Sequence, residues 1–249
     1  MLVPPPYASS NVTFGIAGLA VAMLLAWPAV FWRAASDRPK RHLEALILVV
    51  LLILWAGFAT TFTVSAAPGA AQVLLPVRPP LPQMLSMMFG VILLFWSRFG
   101  TALARTPLPV LIGMQAFRLP LELTMHLAAK TGIMPHQMSF GTLETGTGYN
   151  YDILTGVSAL LLGILLVFRE VPRAVLWAWN IAGSALLVGI VGIAVSSTPY
   201  FAAFGPDALN TWIFFTPFIW LPMVLVPSAM LGHLLIFRVL LRTPEKMHA

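Results

Sequence analysis

Arg118, Glu122 and His126 recur every four residues within an apolar stretch, 108–129. Four-residue spacing stacks them along one face of a helix. Together they offer a cation able to hold an anionic group and a Glu–His pair able to pass protons. A stretch of this length reads as a transmembrane helix, where a charged residue near the centre costs roughly 2.5–3.5 kcal/mol on insertion scales. Residues that carry such a cost face a protein interior or a wet cavity, so the stripe is the leading candidate site. If Arg118 lies near mid-membrane, Glu122 sits ~6 Å and His126 ~12 Å closer to one surface.

Pro120 lies between the two charges and cannot donate a backbone hydrogen bond, which predicts a local kink and a freed carbonyl near Gln115–Ala116. Asn150 and Asp152 introduce the next apolar stretch at the level of His126, and His136 and Glu144 belong to the intervening loop. The expected site is a polar funnel between these two helices. Arg118, Glu122, His126, Asn150 and Asp152 are its ligand-binding candidates. Plain structural roles compete with this. Arg118 and Glu122 can neutralise each other as an i,i+4 pair, Asn150 or Asp152 can cap the following helix, and His126 can be a hydrogen-bonded core residue.

The elements that must position these residues follow from composition. Hydrophobic residues make up 59% of the 249-residue chain and charged residues 9%, against about 25% charged in soluble domains. Mean hydropathy is +0.90. The expected fold class is all-α, a single transmembrane domain over 1–249 with seven spans near 14–31, 43–64, 84–103, 108–129, 153–168, 174–196 and 212–239. Residues 1–13 carry no charge, so the first span is expected to be retained, not cleaved as a signal peptide.

Lys and Arg set the orientation. Arg33, Arg38, Lys40, Arg41, Arg98, Arg105, Arg169, Arg173, Arg238, Arg242 and Lys246, 11 of the 14 basic residues, fall at alternate span ends. That places the N-terminus outside and the C-terminus in the cytoplasm, with Trp27, Trp32, Trp96, Trp177 and Trp179 near the inner interface. The formal charge of +6 is then a topology signal, and a nucleic-acid partner has no support. Membrane lipids are the expected surroundings, in a bacterial cytoplasmic membrane, and a partner membrane subunit is an open expectation. Two long loops, 66–82 and 131–151, lie on the outer side; the first is rich in proline and the second in glycine.

Several chemistries are excluded or weakened. No cysteine is present, no H-E-x-x-H, G-x-S-x-G or P-loop occurs, and no lysine lies in the seventh span to form a Schiff base. No metal site is expected, and no cofactor is indicated. His233 and the Glu44–His42 pair lie toward the inner side with nothing in the sequence linking them to Glu122. Pro217, Pro222 and Pro227 predict kinks in the last span. Met84, Met87 and Met88 read as core filling, and Thr60, Thr61, Thr63 and Ser65 as hydroxyls bonded to their own helix end. Asn11-Val12-Thr13 matches the glycosylation pattern, a common tripeptide.

Arg118-Leu119-Pro120-Leu121-Glu122, then Met138-Ser139-Phe140, then Asn150-Tyr151-Asp152-Ile153-Leu154-Thr155-Gly156 resembles a pattern in uncharacterised bacterial multi-pass membrane proteins. These share an R-x-P-x-E helix followed by M-T-F and N-[FY]-D-I-L-x-G. The resemblance covers about forty residues, and the chain departs from it across 141–148. It implies that Arg118, Glu122, Asn150 and Asp152 belong together and brings no activity with it. The expected function is binding or transport of a small ligand, ion or lipid headgroup. In that expectation Arg118 anchors an anionic group, and Glu122 with His126 handles protons. A membrane enzyme for lipids or isoprenoids using Glu122 and His126 as acid and base is the alternative, and an accessory or scaffold subunit is another.

Overall fold

With no water to bond them, backbone groups in an apolar chain are satisfied within helices, and most of this sequence is helical. The computed structural model describes residues 1–6, 9–65, 71–75, 77–141 and 148–242. Parts of both long loops and the C-terminal tail, including Pro68, Pro76, Glu144, Gly146 and Lys246, lie outside the described residues. In chain order the helices are α1 Ser10–Ala34, α2 Arg41–Thr60, α3 Leu81–Trp96, α4 Arg98–Leu103, α5 Leu108–Met114, α6 Arg118–Lys130, α7 Ile153–Phe168, α8 Arg173–Ser196 and α9 Val226–Leu241.

Four helical stretches are long and apolar enough to cross a membrane: Ser10–Ala34, Arg41–Thr60, Arg173–Ser196 and Leu221–Leu241. Leu81–Trp96 and Ile153–Phe168 are shorter apolar helices. Phe14, Leu54, Phe89, Leu161 and Val188 are each more than 60% exposed on their flanks. Such an apolar exterior belongs in lipid, and the chain is a membrane protein.

The remaining expected spans are interrupted, each for a local reason. Ser97 adopts an extended ψ and its hydroxyl accepts from the backbone N–H groups of Phe99 and Gly100, ending α3 and starting α4. Residues Gln115–Phe117 form a 3-10 turn between α5 and α6. Pro120 has no N–H for the Ala116 carbonyl, and the Arg118 backbone N–H reaches back to the carbonyls of Gln115 and Ala116 instead. The last helix begins at Leu221, later than the expected 212, with a π turn over Leu221–Leu225. Pro227 leaves the Met223 carbonyl without its helical donor, and the Trp55 indole N–H donates to it at 2.5 Å.

The Leu221–Leu241 stretch is the buried axis, with 56% of its apolar window buried against 17–33% for the other three. It packs on α3, α5 and α8, while α7 lies along α5 and α6, and α1 pairs with α2 and α6. Two ends result. At one, β1 (Leu2–Val3) pairs antiparallel with β2 (Val73–Leu74), the Val64 N–H donates to the Phe214 carbonyl, and Gln137 bonds Ser197 and the Ala208 carbonyl. At the other, basic end, Arg105 donates to Asp37 at 2.7 Å, Arg238 to the Phe95 carbonyl at 3.1 Å and Arg242 to the Ala104 carbonyl at 2.9 Å.

Candidate functional site

Arg118 is the first residue of α6 and is 1% exposed. Its Nε donates to Asp152 Oδ2 at 2.6 Å and its Nη2 to Asp152 Oδ1, a two-point ion pair. Its Nη1 lies 2.8 Å from His233 Nε2 on α9. The i,i+4 pairing of Arg118 with Glu122 is not what forms. Asp152 stands at the N-cap position of α7 yet makes no side-chain cap there, because its carboxylate is turned onto the guanidinium. The fork geometry of arginine favours a planar carboxylate held at two points.

The histidine's role follows from its other neighbour. Asn180 Nδ2 donates to the His233 carbonyl at 3.1 Å, so Asn180 Oδ1 is the acceptor facing His233 Nδ1 at 2.7 Å. The imidazole proton then sits on Nδ1, and Nε2 accepts from Arg118. The chain Asn180–His233–Arg118–Asp152 thus ties α8, α9, α6 and α7 together. Glycines allow that approach. A Cβ at Gly156 would lie 2.9 Å from the Arg118 carbonyl carbon, and one at Gly183 would lie 2.8 Å from the His233 ring.

Glu122, 2% exposed, is held differently. Asn150 Nδ2 donates to its Oε2 at 2.5 Å and to the Met138 carbonyl at 3.1 Å, and Asn150 Oδ1 accepts the Asp152 N–H at 3.0 Å. Asn150 is therefore locked in a turn ahead of α7 with its amide aimed at the glutamate. Among the described residues, Glu122 is in no ion pair. His126 points elsewhere: its Nδ1 is 2.9 Å from Ser139 Oγ, and its ring stacks on Phe140 at 4.5 Å.

A cavity of about 120 Å³ lies against this cluster. Since ~10–15 Å³ of such space holds one water, it has room for an organic group. Its walls come from α3, α6, α8 and the start of the last helix, and its polar side chains are Gln83, Arg118, Glu122, Asp152, Thr198 and Asn210. The rest of the lining is apolar, including Met84 and Met87 from the methionine run. Thr60, Thr61 and Thr63 donate to the carbonyls of Gly57, Phe58 and Thr60 in their own helix end. No set of three His, Asp or Glu side chains among the described residues is gathered as metal ligands would be.

Four of the five residues singled out in the sequence, Arg118, Glu122, Asn150 and Asp152, form one buried cluster, and His126 lies beside it on the loop side. His233, Asn180 and Asn210 were not among them. The available signal was their polarity inside otherwise apolar stretches. Compared with protein-family models, curated proteins and solved structures, the chain matches none.

Proposed function

We propose that this chain is a seven-pass protein of the cytoplasmic membrane that binds, and in its membrane setting moves, a small ligand in the cavity beside Glu122. The observation that carries the reading is a buried carboxylate, outside any ion pair among the described residues, at the wall of a mostly apolar cavity. Small-molecule sites have this composition, with mostly apolar walls and a few placed polar groups. In the proposed topology α3–α4 and α5–α6 each act as one interrupted pass, alongside α1, α2, α7, α8 and α9. The N-terminus is outside, because Arg33, Arg38, Arg41, Arg98, Arg105, Arg169, Arg173, Arg238 and Arg242 gather at the opposite, cytoplasmic end. The cavity then faces the extracytoplasmic side, near the loops that carry Pro80, Thr198 and Asn210. Membrane lipids are its neighbours, and nucleic acid is not a partner.

Native mass spectrometry of gently extracted protein tests this. A non-covalent mass retained by the native chain and lost in Val191→Trp, which fills the cavity, supports the proposal. Bare-chain masses for both proteins, with no added ligand on either, refute it.

A further inference from the structure

Resting on the cavity reading, we infer that the site takes a lipophilic ammonium, a protonated amine bearing N–H donors on an apolar body. The cluster's cation is already engaged. Arg118 is matched at two points by Asp152, and its third nitrogen faces His233. An anionic headgroup would have to displace a buried, hydrogen-bonded aspartate to reach it.

Several acceptors lie beside the cavity. Asn210 is fully buried; its Nδ2 is spent on the Ala194 carbonyl at 3.1 Å, and its Oδ1 has no partner among the described residues. The Thr198 hydroxyl proton is spent on the Val195 carbonyl at 2.7 Å, leaving that oxygen to accept. Gln83 Oε1 is buried and also without a partner among the described residues. Glu122 adds a carboxylate with one Asn150 bond and, among the described residues, no contact ion pair, Arg118 one turn away being turned onto Asp152. Buried acceptors without donors are costly to leave unmade. An ammonium group supplies several donors and a positive charge together. Leu121, Leu187, Ile190 and Val191 would cover an alkyl chain, and Phe117 and Phe214 also line the space.

The test uses the full chain in phosphatidylcholine nanodiscs, titrated with radiolabelled dodecylamine against empty discs. Dodecanoate, dodecanol and dodecyltrimethylammonium, which lacks N–H groups, are run in parallel. We expect saturable binding of the amine, poor competition by dodecanoate and the quaternary ammonium, and roughly 10- to 100-fold weaker binding in Glu122→Gln, the scale of one lost charge-assisted bond. The thermal midpoint of each variant checks folding, and Val191→Trp, which keeps every polar group, abolishes binding by filling the space. A short-chain phosphatidylethanolamine competitor separates the sources. Displacement points to an ethanolamine headgroup and its absence to a free amine, and either supports the class. If dodecanoate or dodecanol binds saturably and the amine does not, or if Glu122→Gln binds the amine as tightly as the native chain, the inference is overturned while the cavity reading stands. If none of the amphiphiles binds, both fall.

Discussion

Arg118 and Asp152 stand 34 residues apart in the chain and meet as a two-point ion pair with side chains 1% and 4% exposed. The pair joins the interrupted helix α5–α6 to the start of α7, and His233 extends it to the buried axis of the bundle. Removing one partner leaves the other charge buried and alone. Asp152→Asn is therefore expected to destabilise the protein by about 3–5 kcal/mol, and Arg118→Met with Asp152→Leu to recover much of that loss. Reversible unfolding in mixed micelles measures both. A double variant no more stable than Asp152→Asn would refute the pairing.

Close approach of α7 to α6 depends on Gly156. A Cβ there would meet the Arg118 and Leu119 backbone, whereas a Cβ at Gly189 meets nothing within 4 Å. Gly156→Ala is expected to cost about 1–3 kcal/mol as overpacking. Gly189→Ala should be neutral or up to about 1 kcal/mol stabilising from helix propensity alone. Paired thermal-shift curves decide it, and equal effects at the two sites would contradict the packing described.

Trp55 closes the gap that Pro227 opens in the last helix. Trp55→Phe keeps the ring and removes the N–H that reaches the Met223 carbonyl. The expected cost is about 1–3 kcal/mol for an unsatisfied carbonyl, with faster amide exchange over Leu221–Leu225. Unchanged exchange would mean that the bond does not hold the turn.

At the basic end, the hydrogen bond from Arg105 holds the Asp37 carboxyl below its ordinary value of 3.8. A lowered folded-state value means that the contact stabilises above that ordinary value and is lost as pH falls through the lower folded one. The pair is exposed, so its effect is small and screened by salt. Unfolding midpoints of the native chain and Asp37→Asn should converge as the pH is taken below 3.8. Divergence there would reverse the sign.

Much of the helical architecture was legible because apolar length is written directly in the sequence, as was the burial of Arg118 and Glu122 among apolar neighbours. Asn150 and Asp152 were placed correctly at the head of α7. The pairing was not legible. Four-residue spacing reports neighbours on one helix, and Glu122 satisfies that criterion. The observed partner arrives from another helix because the 3-10 turn at Gln115–Phe117 and the small Gly156 bring α7 within reach. His233 was visible as a lone ionisable residue, but only the packing of α9 against its neighbours brings it to Arg118. The breaks at Ser97 and Leu221–Leu225 arise from local capping and proline chemistry that a hydropathy window averages away.

The central claim is a division of labour, with Arg118 belonging to Asp152 and Glu122 left for the cavity. Two double-mutant cycles on unfolding free energy test it most directly, one for Arg118 with Asp152 and one for Arg118 with Glu122. The account predicts a coupling at the upper end of the ~0.5–3 kcal/mol seen for contacting groups in the first cycle and a clearly smaller one in the second. A larger coupling between Arg118 and Glu122 would contradict it.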